Sequence, residues 1–191
     1  MLEVYTGPGK GKTTAALGLA LRAIGAGHRV YIMQFMKSLA YSEQKVLVRL
    51  PGLELYTSGK PFFIAPEGTL DERSRRELGD DIVVFPPGQP PADYVALIAR
   101  GLAAARTAIG SGRYELVILD ELNVALHFGL VTEPEVRTCL APAIGDPALE
   151  IVTTGRGAPD WLIDIADLVT DMQEIKHYYT RGTAARRGIE N

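Results

Sequence analysis

Cysteine is nearly absent from this chain: Cys139 is the only one among 191 residues, alongside one tryptophan and three histidines. A single thiol excludes an intramolecular disulfide and a thiolate metal cage built by one chain. His28, His127 and His177 show no ligand spacing, and neither a zinc motif nor a Ser/His/Asp nucleophile elbow is present. An excess of one charge sign is also lacking. The net charge is −3 with lysines and arginines scattered, so neither a nucleic-acid face nor a polybasic membrane anchor is expected. No apolar run approaches the ~18 residues that span a bilayer. The opening residues carry no basic region of the kind that begins a secretory leader. These absences predict a cytoplasmic globular protein, a single domain over 1–191, with no membrane or nucleic-acid partner.

What is present is an alternation of strands and helices. Val4-Tyr5 ends a short strand that opens onto glycines. Residues 12–26 follow with apolar positions at helical spacing, and Gly25 and Gly27 stop them. Residues 29–35 (RVYIMQF), 115–119 (ELVIL) and 149–153 (LEIVT) are nearly continuous apolar runs, the mark of strands buried on both faces. Helices are expected over 43–50, from Asp93 to Ile109, from the Thr132/Glu135 capping box to Cys139, and over 159–166; short strands are expected at 53–56 and 168–172. The pattern predicts an α/β fold with a mostly parallel sheet covered by helices on both faces. Residues 60–91 break the rhythm, with six of the 12 prolines and the charged stretch 71–77 (DERSRRE). A connection that long reads as a surface loop or lid. The tail, 176–191, reads as irregular.

Chemistry is concentrated at the ends of these strands. Thr6, Gly7, Pro8, Gly9, Lys10, Gly11, Lys12, Thr13 and Thr14 lie between a strand and a helix, the context that a phosphate-binding loop requires. Glycines let the backbone turn its N–H groups toward phosphate oxygens, and the helix adds the positive end of its dipole. Lys12 would neutralise phosphate charge and the Thr13 hydroxyl would ligate Mg²⁺. Asp120 and Glu121, at the carboxyl end of a buried strand, are the expected acidic half of the metal site, directly or through water. Arg156, in Thr154-Gly155-Arg156-Gly157, offers a forked permanent charge to a triphosphate. Lys37 ends another strand and could reach a phosphate or an anionic substrate. The adjacent aromatics Phe62 and Phe63 are expected to cover something apolar. These residues imply a Mg²⁺–nucleoside triphosphate site without identifying the acceptor; a hydrolase, a kinase and a nucleotide-driven switch all share such parts.

The segments Tyr5 to Ala16 (YTGPGKGKTTAA), Gln34-Phe35-Met36-Lys37, Val117 to His127 (VILDELNVALH), Thr154-Gly155-Arg156, Glu174-Ile175-Lys176-His177 and Arg187-Gly188-Ile189-Glu190 resemble the ATP:corrinoid adenosyltransferases of the P-loop type. The resemblance covers nearly the whole chain apart from about 57–92. It implies a P-loop NTPase-like (RecA-like) fold and transfer of the 5′-deoxyadenosyl group of ATP to the cobalt of a reduced corrinoid, leaving triphosphate. It further implies Mg²⁺ (with Mn²⁺ as a substitute), a flavin or flavodoxin-type reductant, and a homodimer. Lys12 and Arg156 would stabilise charge on the departing triphosphate, while Phe62 and Phe63 would pack against the corrinoid and displace its lower axial ligand during reduction.

Overall fold

The computed structural model describes residues 1–38, 41–70, 79–183 and 185–189. Six strands form one sheet: β1 (Leu2–Thr6), β2 (Val30–Phe35), β3 (Leu53–Ser58), β6 (Leu116–Asp120), β7 (Glu150–Thr154) and β8 (Leu168–Asp171). Their order across the sheet is β3-β2-β6-β7-β1-β8, and every neighbouring pair is parallel. Parallel neighbours need crossovers, which the helices supply: α1 (Lys12–Gly25), α2 (Gln44–Leu47), α3 (Ala92–Ile109), α4 (Leu122–His127), α5 (Glu133–Leu140) and α6 (Asp160–Asp164).

The apolar runs are continuous because both faces of each central strand are buried. In β2, Tyr31, Met33 and Phe35 join the core beneath α3 to α6, whereas Val30 and Ile32 join the smaller core beneath α1 and α2. β6 divides in the same way, with Val117 and Leu119 on one face and Leu116 and Ile118 on the other. α3 turns Tyr94, Ile98, Leu102, Ala105 and Ile109 inward at helical spacing. The capping box at the start of α5 is formed, with Glu135 accepting from both the Thr132 N–H and its hydroxyl. Cys139 packs at 1% exposure in this core.

Two expectations differ from the structure. The helix expected over 43–50 is one turn, because only Gln44 and Leu47 are buried there while Val46 and Val48 face solvent. The stretch expected to be a long surface loop or lid contains β4 (Phe63–Pro66) and β5 (Ile82–Phe85), which pair in parallel as a separate two-stranded sheet. Ile64, Ala65 and Phe85 are buried, and the Phe85 ring meets Phe128 edge-on. Prolines conceal these strands in the sequence: Pro61 precedes β4, Pro66 is its last paired residue, and Pro86-Pro87 follow β5. The charged stretch 71–77 lies outside the described residues. Among the described residues, no helix is long and apolar enough to cross a membrane.

Candidate nucleotide site

Every strand of the large sheet points its carboxyl end to one rim, and the expected site residues gather along it. The loop between β1 and α1 is drawn tight by the chain that follows β8. The Gly9 N–H donates to the Met172 carbonyl at 2.6 Å. A side chain at Gly7 would sit 2.2 Å from Asp171 Oδ1, and Gly7 also has φ 95°. Glycine is therefore required there by both conformation and space.

Lys12 opens α1 and is 8% exposed. Its Nζ donates to the carbonyls of Gly7 at 2.7 Å and Gly9 at 2.6 Å, so the ammonium braces the loop it belongs to. Burial lowers its pKa, and the nearby Arg156 charge lowers it further. Arg156 is exposed at the rim beyond β7 and borders the same cleft. Thr6 is turned away, its hydroxyl accepting from the Ala158 N–H at 3.3 Å. Pro8 lines a side depression next to Arg156. Lys10 reaches across to the Ile189 carbonyl at 3.0 Å, placing the tail over the loop. Gly11 and the exposed Thr14 line the cleft.

Asp120 is fully buried at the end of β6. Its Oδ1 accepts from the hydroxyls of Thr13 (2.9 Å) and Thr154 (2.6 Å). Its Oδ2 accepts from the Gln34 amide (3.0 Å) and from Lys37 Nζ (2.8 Å). Burial alone would raise the Asp120 pKa; the Lys37 charge and the hydrogen bonds from Lys37, Thr154 and Thr13 outweigh it and hold the carboxyl below its ordinary value. The next residue behaves oppositely. Burial, then the Asp120 charge, push the Glu121 pKa up. Glu121 also sits at φ 62°, a left-handed conformation uncommon outside glycine. Its N–H is held by Thr154 Oγ1 at 3.0 Å. Met36, at the end of β2, has φ 60°. Two non-glycine residues in this region, both just past strand ends on one rim, mark that rim as structurally specified.

The cleft bordered by this rim has a volume of about 1100 Å³ and two characters. Lys10, Lys12, Thr13, Lys37, Glu121 and Arg156 make its polar half. Met36, Phe63, Ile64, Val124 and Phe128 make an apolar wall. The two adjacent aromatics part company here. Phe63 is 48% exposed and faces the cleft, whereas Phe62 packs on Tyr94, with ring centroids 6.2 Å apart, against the core. Among the described residues, no group of three or more His, Cys, Asp or Glu converges to hold a metal ion. Thr13 and Glu121, both of which line the cleft, carry side-chain oxygens.

Motif reading misses Gln34 and Asn123 as site residues. Gln34 carries a signal, being the one uncharged amide in an otherwise apolar strand. Asn123 Nδ2 ties the Gly155 carbonyl (3.2 Å) to that of Tyr5 (3.4 Å), linking α4 to two strand ends. His177 borders the cleft from the tail.

The whole chain, residues 1–191, matches the family model described as ATP:corrinoid adenosyltransferase BtuR/CobO/CobP. A corrinoid adenosyltransferase of Pseudomonas aeruginosa is 31% identical over 194 residues, covering 100% of this chain and 83% of that protein. The corrinoid adenosyltransferase CobA of Salmonella typhimurium is 30% identical over 190 residues, with 100% and 85% covered. An uncharacterized Nostoc protein is 35% identical over 92% of this chain, which spans only 44% of that relative.

Proposed function

The chain belongs to the ATP:corrinoid adenosyltransferase family, and from that membership we propose that it transfers the 5′-deoxyadenosyl group of ATP to the cobalt of a reduced corrinoid and releases triphosphate, in the making or salvage of adenosylcobalamin. The observation that carries this reading is the two-part cleft. A cationic, glycine-lined half suits a triphosphate, and the apolar wall beside it suits a large flat macrocycle.

In the proposed reaction the Co(I) electron pair attacks C5′ of the ribose, forming the cobalt–carbon bond as the C5′–O bond breaks. The bonding electrons of that C5′–O bond leave on the triphosphate. The protein therefore needs no nucleophile of its own. Its task is electrostatic: Lys12, Arg156 and the loop N–H groups stabilise charge that grows on the leaving group. The apolar wall, with Phe63 foremost, shields the corrinoid face from water. Phe62 contributes through Tyr94 rather than by reaching the cleft.

The donor set fits a hard divalent ion. Thr13 and Glu121 are oxygen donors at the cleft; burial and then the Asp120 charge raise the Glu121 pKa, against the opposing charges of Lys37, Lys12 and Arg156. Mg²⁺, with Mn²⁺ as a substitute, would be held by these two residues and would supply charge neutralisation to the phosphates. A flavin or flavodoxin-type electron donor, a homodimer and a cytoplasmic location belong to the same reading and are supported by the family resemblance.

The test is direct. ATP mixed with chemically reduced corrinoid is expected to yield a light-sensitive cobalt–carbon species, seen as an absorbance change, together with triphosphate. ADP or phosphate as the sole nucleotide-derived products would overturn the proposal in favour of a kinase or ATPase.

A further inference from the structure

The Asp120 carboxylate has no acceptor capacity left. A carboxylate offers about four lone-pair positions, and four protein donors occupy them: Thr13 and Thr154 on Oδ1, Gln34 and Lys37 on Oδ2. The positive charge beside Asp120 already belongs to the protein. Lys37 Nζ lies 2.8 Å from Oδ2 and 3.4 Å from Thr13 Oγ1, and its side chain is 12% exposed.

Lys37 is built into this position from several sides. The turn after β2 places Met36 at φ 60°, and the Met36 N–H is held by the Ser58 carbonyl at 2.8 Å. The backbone of Gly59 presses so closely that a Cβ there would lie 2.4 Å from the Lys37 backbone nitrogen. The Tyr41 ring stands 5.2 Å from Nζ. Gln44 bridges the Gln34 side-chain carbonyl (2.8 Å) and the Ser38 carbonyl (2.9 Å), which turns the Gln34 N–H toward Asp120.

Each hydroxyl on Asp120 has one proton, and both protons point at Oδ1. The lone pairs of Thr13 are thereby turned away from Asp120, and a lone pair of Thr154 is left to receive the Glu121 N–H at 3.0 Å. One carboxylate thus orients both oxygen donors proposed for the metal, Thr13 through its proton and Glu121 through its backbone. We infer that Lys37 is a positioning residue: paired with Asp120, it locks the Thr13 hydroxyl and the Glu121 turn in the arrangement that receives metal-bound nucleotide, and it does not itself bind the triphosphate. This rests on the proposed ATP-dependent reaction and assigns Asp120 an outer role in place of direct metal ligation.

The experiment compares Lys37→Met and Lys37→Arg with the unaltered protein by titration calorimetry, using Mg²⁺·ATP and, separately, ATP in EDTA. Mn²⁺·ATP is followed by electron paramagnetic resonance. Loss of a partner that orients metal ligands lowers metal affinity about 10–100-fold. Lys37→Met is expected to weaken Mg²⁺·ATP binding by that factor, alter the Mn²⁺ spectrum, and leave metal-free ATP binding unchanged. Lys37→Arg, which keeps the charge, is expected to restore much of the loss. Equal losses with and without metal would mean that Lys37 contacts phosphate, and would overturn the inference. So would unaltered Mg²⁺·ATP binding in Lys37→Met. If that variant does not fold, Lys37→Arg decides alone: its Mn²⁺ spectrum must match that of the unaltered protein. Failure of the unaltered protein to bind ATP would instead remove the functional reading.

Discussion

Gln34 and Asp120 stand opposite each other in register on β2 and β6, and the Gln34 amide donates to Asp120 Oδ2 at 3.0 Å with both side chains fully buried. Replacing Gln34 with Leu removes this donor and also strands the Gln44 amide that bonds Gln34 Oε1. An unpaired buried polar group costs about 1–3 kcal/mol. Gln34→Leu is expected to lower the unfolding free energy by an amount in that range in urea titration. A midpoint equal to that of the unaltered protein would show that the network tolerates the loss.

Lys12 links the loop to its chemistry. Its ammonium braces Gly7 and Gly9 through their carbonyls, and the same group is proposed to stabilise the departing triphosphate. Lys12→Ala is expected to reduce transfer by about 10²–10³-fold, the scale of losing one preorganised oxyanion donor. Single-turnover transfer to preformed Co(I) measures this. A near-normal rate would refute the role.

The two aromatics should separate by experiment. Phe63→Ala, which trims an exposed wall of the cleft, is expected to impair transfer from Co(II) under weak reductant more than from preformed Co(I), with little change in Tm. Phe62→Ala loosens packing on Tyr94 and is expected to cost about 0.5–3 kcal/mol of stability, the ordinary range for a point substitution. Equal Co(I) and Co(II) losses for Phe63→Ala would remove its part in the reduction step.

Two helical glycines should respond with opposite sign. Gly18 in α1 has room for a methyl group, since a Cβ there would meet nothing within 4 Å. Gly18→Ala is therefore expected to stabilise by about 0.5–1 kcal/mol through helix propensity. Gly101 in α3 packs on β3, where a Cβ would lie 2.6 Å from Ser58 Oγ and 2.7 Å from Ser58 Cβ. Gly101→Ala is expected to destabilise by about 1–3 kcal/mol through overpacking. Thermal unfolding of the pair checks the sign, and stabilisation at both sites would contradict the packing argument.

Much of the fold is legible in the sequence because burial on both faces writes itself as unbroken apolar runs. The strands at β2, β6 and β7 and the buried face of α3 all appear in this way. The phosphate loop is equally plain, since glycines, Lys12 and Thr13 are contiguous in the chain. The β4–β5 pair is not, because its two strands are separated in sequence, are only four residues each and have prolines at or next to their ends. Their pairing depends on what they pack against.

By itself, the sequence determined that strands alternate with helices, that a phosphate loop opens the first helix, and that acidic residues close a buried strand. Those features are local, governed by periodicity and by the conformations that neighbouring residues allow. Only the tertiary structure decided which partners these groups have. Gln34 and Lys37 come from one strand end, Thr154 from another and Thr13 from a helix start, three places distant in the chain, and the parallel strand order places all four on one carboxylate. It also sent Phe63 to the cleft and Phe62 to the core, although they are adjacent in the chain. Hydrogen-bond direction and burial depend on three-dimensional neighbours, and residue spacing along a chain carries no record of them.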